Sequence, residues 1–182
     1  MKKAKFWILI TVYLILALSD GLLTYINTPD LSMEGNPLVS YFGLGWCALA
    51  TANIIVFVLL FMAAYYSYCK YKTVYTNETK FTAYASQIVY DRPDMFFKGI
   101  IPKHITPIIA CGGFALLYSS IISRAIIVFE WLCTTFDVTW ADGYFNFRDI
   151  YCHGYLHVIV AAICMIVCMF YWLYKEFKKQ LK

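Results

Sequence analysis

The sequence predicts an all-α fold: a polytopic membrane protein built as a four-transmembrane-helix bundle with both termini in the cytoplasm. Three observations carry this reading. Four apolar runs, at about residues 6–26, 47–68, 105–132 and 152–174, are each long enough to cross a bilayer, because about 20 residues at a rise of about 1.5 Å cover a hydrocarbon core of roughly 30 Å. The 182 residues are 62% hydrophobic and only 14% charged, a composition outside that of ordinary soluble domains. Basic residues gather on one side of the four runs, and that asymmetry sets orientation. A chain of this length has room for one membrane domain over residues 1–182 and none for a second folded domain beside it.

The first run follows Lys2, Lys3 and Lys5 and continues through Leu22, Leu23, Tyr25 and Ile26. Its basic start, apolar middle and Ala17-Leu18-Ser19 also fit a cleavable secretory signal, but the full length of the run favours a retained span. The connection over residues 27–45 is punctuated by Pro29, Gly35, Pro37, Gly43 and Gly45, so it reads as turns. Leu31, Met33, Leu38, Val39, Tyr41 and Phe42 would fold it back onto the bundle. The connection over residues 70–103 alternates aromatic residues with Lys70, Lys72, Lys80, Arg92, Lys98 and Lys103, the pattern of a cytoplasmic strip at headgroup level. Pro102 and Pro107 mark the entry to the third span, where proline suits the first helical turn.

Around the second outer connection, Trp131, Trp140, Tyr144, Phe145, Phe147 and Tyr151 resemble an aromatic belt. Lys175, Lys178, Lys179 and Lys182 follow the fourth run, whereas the outer connections hold Arg148 alone beside Asp30, Glu34, Asp137, Asp142 and Asp149. Every segment therefore agrees on orientation, and the net charge of +4 is a topology signal. It implies the bilayer and anionic headgroups on the cytoplasmic side as partners, with no nucleic acid. A membrane protein partner or a second copy of the chain is compatible with it. The seven cysteines show no Cys-x-x-Cys spacing. Cys133 and Cys152 either pair across the second outer connection or stay as free thiols.

Polar residues within the runs concentrate toward the outer side. By helical rise, Asp20 and Asn53 lie about 9 Å below their span ends and His157 about 7 Å, with Arg124 in the outer half of span three and Glu130 near its exit. Ionisable groups in hydrocarbon are costly and usually mark a working site or a partner. Asp149, His153 and His157 recur every four residues, which on one helix forms a single stripe. Two histidines so spaced can present ring nitrogens to one ion. Asp20 and Glu34 would complete a set suited to zinc, iron or manganese. The same histidines serve equally as interfacial groups bonded to neighbouring helices. Arg124 either pairs with Asp20 to join spans one and three, or holds an anionic substrate group with Asn36. Thr24, Asn53, Glu130 and Asp149 support the cluster, and Glu130 could act as acid or base.

Ser19-Asp20-Gly21-Leu22-Leu23-Thr24, followed by Met33-Glu34-Gly35-Asn36-Pro37, resembles the signature of a bacterial domain-of-unknown-function family of small integral membrane proteins. That signature is an Asp-x-x-x-Thr pair near the end of one span and Glu-x-Asn-Pro before the next. The resemblance covers about residues 16–57 and implies a multi-span protein of a bacterial plasma membrane. It flags Asp20, Thr24, Glu34, Asn36 and Pro37 and implies no activity. Two functions stay open: an outward metal site acting on a lipid or envelope molecule, or a non-enzymatic assembly or partner protein whose polar cluster fixes helix packing.

Overall fold

The protein's structure, a computed structural model, describes residues 2–32, 39, 41–96, 99 and 101–181. Its helices are α1 (Lys2–Asn27), α2 (Trp46–Tyr65, continued by a π-turn over Tyr66–Lys70), α3 (Phe81–Tyr90), α4 (Thr106–Thr135), α5 (Asp142–Cys152) and α6 (Leu156–Gln180). No strand occurs among the described residues. α1, α2 with its π-turn, α4 and α6 are long and apolar enough to cross a membrane, so the chain is an all-helical multi-pass membrane protein. Their outward faces are greasy, with Ile8, Leu18, Leu59, Ile163 and Val167 all exposed. Such surface is stable only where lipid replaces water.

α4 is the hub. α1, α2 and α6 each pack along it, while α1 and α2 meet largely through rings such as Phe6 against Phe61 and Tyr13 against Phe57. The reason lies in the small residues at its buried positions, Ala110, Cys111, Gly113, Ala115 and Ser119, which let neighbouring backbones approach. One such approach is at Gly113, where a β-carbon would overlap the carbonyl of Ala63 on α2. Phe6, Ile10, Tyr13, Leu60, Ala64 and Leu117 form a core around this crossing. Ala110, Cys111, Phe114 and Trp172 join α4 to α6.

Both chain ends lie at one end of the bundle, termed proximal here. Phe6 of α1 meets Tyr65 edge-on at a centroid distance of 5.7 Å. Thr73, just past the π-turn, donates a 2.7 Å hydrogen bond to Glu176 near the end of α6. The connection over residues 70–103 contains a helix that packs back onto the end of α6. Tyr84 and Ile88 of α3 are buried against Phe177 of α6, so the alternation of aromatic and polar residues describes a two-faced helix with a partner. Asp91 ends α3 in the left-handed region at φ 60°, which aspartate tolerates better than most residues. The Lys103 ammonium bonded to Asp91 holds its carboxyl below the ordinary carboxylate range.

The fourth span also differs from its predicted bounds. The chain forms the separate helix α5, stops at His153 (φ 48°) and Gly154 (φ 81°), and starts α6 only at Leu156. The Gly154 N–H donates to the Arg148 carbonyl at 3.2 Å, a glycine-assisted helix stop that satisfies an end carbonyl. Cys133 is buried and Cys152 half-buried, both as free thiols.

Candidate polar site at the distal end

The site lies beyond the Gly113 crossing, away from the chain ends. α4 carries Arg124 between α1 and α2, and its guanidinium donates one hydrogen bond to Asp20 Oδ2 and another to Asn53 Oδ1. The Asn53 amide nitrogen donates to Leu49 O at 2.9 Å, one turn back on its own helix, which leaves its oxygen for the arginine. Thr24, buried one turn beyond Asp20, places its hydroxyl in hydrogen-bonding range of the Asp20 carboxylate. One planar cation thus ties three spans, a geometry that suits arginine and not lysine. The predicted Asp20–Arg124 pair is present, and Asn53, expected only as a supporting member of the cluster, is bonded to the same guanidinium.

A second polar layer joins α4 to α5. Glu130 accepts from Tyr144 Oη at 2.6 Å and from Arg148 at 3.3 Å. Arg148 also donates to Asp149 at 2.7 Å and lies over the Phe145 ring at 4.9 Å. Burial, and then the bond to the Glu130 carboxylate, push Tyr144 ionisation above its ordinary value. Burial alone would lower the Arg148 guanidinium, but its bonds to Asp149 and Glu130 outweigh that and raise it. The sequence placed Glu130 and Asp149 in the cluster; Tyr144 and Arg148, which tie this layer together, were not singled out by it.

His157, in the first turn of α6, is half-buried, and the charges of Glu130, Arg148, Asp20 and Arg124 act on it. Its Nδ1 is buried and has no hydrogen-bond partner among the described residues. The expected stripe of Asp149, His153 and His157 is corrected by the structure. The left-handed residues His153 and Gly154 separate α5 from α6, so no single helix presents the three side chains. Asp149 turns to Arg148, and His153 is exposed at the helix stop. Glu34 and Asn36, with Pro37, lie outside the described residues. Among the described residues, no three His, Cys, Asp or Glu side chains gather closely enough to hold a metal ion. Asp20 and Glu130 are instead engaged by cations and hydroxyl donors.

α1 and α2, with Arg124 of α4, line a cleft of about 340 Å³. Tyr13, Ala17, Leu18, Ile54 and Phe57 line its walls, and Asp20, Asn53 and Arg124 its polar floor. Trp46 closes the far end, its indole N–H donating to Pro29 O at 2.8 Å and its ring edge-on to Tyr25. Neither the close crossing at Gly113 nor this cleft was signalled by the sequence. No family model, curated protein or solved structure matches the chain.

Proposed function

We propose that the protein is a non-enzymatic membrane assembly or partner protein, whose distal polar cluster fixes the packing of three spans while the adjoining connections meet another membrane component. The observation that carries this reading is Arg124 bound at once to Asp20 and Asn53. The carboxylate best placed for chemistry is committed to holding helices together. The distribution of lysines supports cytoplasmic termini with anionic headgroups around them, which turns the cluster outward. The stretch over residues 19–37 supports a bacterial plasma membrane as the setting.

Elemental analysis of protein purified without chelators tests the proposal, with the double variant His153→Ala/His157→Ala beside the wild type. The expected result is no stoichiometric metal in either and a folded double variant. A stoichiometric ion lost in the double variant would overturn it in favour of a second reading. In that reading Asp20, Glu34, His153 and His157 hold zinc, iron or manganese for chemistry on a lipid or envelope molecule, with Arg124 and Asn36 on its anionic group. The observation on its side is the Nδ1 of His157, unpartnered among the described residues.

A further inference from the structure

The cleft between α1 and α2 has apolar walls and a polar, charge-balanced floor, a pairing that a membrane core does not need for packing alone. Arginine carries five N–H donors, and among the described residues the hydrogen bonds of Arg124 go to Asp20 and Asn53. The remaining donors belong to the more open partner of the pair, since the Arg124 side chain is 21% exposed and that of Asp20 is 10%. An N–H facing hydrocarbon without an acceptor is costly. The carboxylate already balances the guanidinium charge, so the missing partner is an uncharged oxygen acceptor.

Depth narrows its source. α1 has 26 residues and is about 39 Å long, so a centred helix overhangs a core of roughly 30 Å at both ends and puts Asp20 about 6 Å inside the hydrocarbon edge. That is within reach of lipid ester carbonyls. The geometry points to a phospholipid of the distal leaflet seated in this cleft, with one acyl chain between α1 and α2 and an ester carbonyl on the spare donors of Arg124. This rests on the helix-clamp reading only in that the clamp holds the guanidinium in place.

Gly21 lines the cleft with nothing within 4 Å of the position a β-carbon would take. Gly21→Phe should therefore fill the cleft without disturbing the fold. The test is photocrosslinking of the full chain in phosphatidylcholine–phosphatidylglycerol vesicles doped with a diester phosphatidylcholine bearing a diazirine on one acyl chain. Labelling of residues 13–24 and 49–57 should exceed that of the exposed α6 residues Val158 and Ile163 about tenfold, and a diether analogue should compete about tenfold less well than the diester, the worth of one hydrogen bond to a charged donor. Gly21→Phe should abolish the excess with an unchanged or higher melting temperature. Even labelling of α1, α2 and α6, an unaltered pattern in Gly21→Phe, or equal competition by the diether would each overturn the inference. Crosslinks between two copies of the chain at these positions would overturn it in favour of a self-association seam. Those failures leave the clamp standing, because the metal analysis and the stability of Arg124 variants read it separately.

Discussion

Arg124 is the side chain whose loss should cost the most. Removing it leaves the Asp20 carboxylate buried without its cation, and Arg124→Ala should destabilise the protein by about 3–5 kcal/mol in detergent unfolding. Adding Asp20→Asn should recover most of that loss, because no charge then remains unpaired. Arg124→Lys should rescue poorly, since an ammonium cannot bridge a carboxylate and an amide in one plane. Tyr144 makes a smaller, pH-dependent contribution. Its ionisation is raised in the fold, so the neutral phenol is favoured, and its stabilisation is full below the ordinary tyrosine value near 10 and fades above it. The stability gap between wild type and Tyr144→Phe, about 1 kcal/mol for a partly exposed bond to a carboxylate, should stay constant up to about pH 9 and then shrink. At this scale the sequence exposed the pair but not the geometry. Asp20 and Arg124 announced themselves as charges inside apolar runs at similar depth. Depth says nothing about azimuth, so the alignment of Asn53 with the same guanidinium could not be read.

Helix stops and helix crossings decide the next level. His153 sits at φ 48°, a conformation that costs a β-carbon-bearing residue about 1–2 kcal/mol. His153→Gly should therefore be neutral or stabilising in thermal melts, whereas a loss of stability would reveal an interaction of the imidazole itself. The Gly112-Gly113 pair offers an internal control. Gly113→Ala must push α2 from α4 and should cost about 1–3 kcal/mol through overpacking. Gly112→Ala meets nothing within 4 Å and should gain up to about 1 kcal/mol from helix propensity. The four spans were legible because apolar runs of that length have few other folds. The break before Leu156 was not, because helix-forming residues lie on both sides and Gly154 alone marks the stop. α3 was hidden for a related reason: its aromatic face resembles an interfacial strip until Phe177 of α6 is seen to cover it.

Taken whole, the molecule is a hub with three spokes, and this could not be inferred from periodicity. α1 and α2 carry apolar residues all round, and which side meets α4 depends on small residues in the partner. Orientation is the property of the whole chain that composition sets most directly. A single-cysteine variant retaining Cys47 should react with a membrane-impermeant maleimide added to intact cells, and one carrying only Thr79→Cys should react only after lysis. The reverse pattern would invert the reading of the lysines and place the polar cluster in the cytoplasm. The contacts of α3 carry a consequence for biosynthesis. Thr73, Thr76, Tyr84 and Ile88 find their partners at Glu176, Phe177 and Gln180, about a hundred residues later in the chain. A ribosome must therefore finish the last helix before this cap can close. Nascent chains stalled after Thr135 should expose Tyr84 and Ile88 to the proteases that police unassembled membrane proteins.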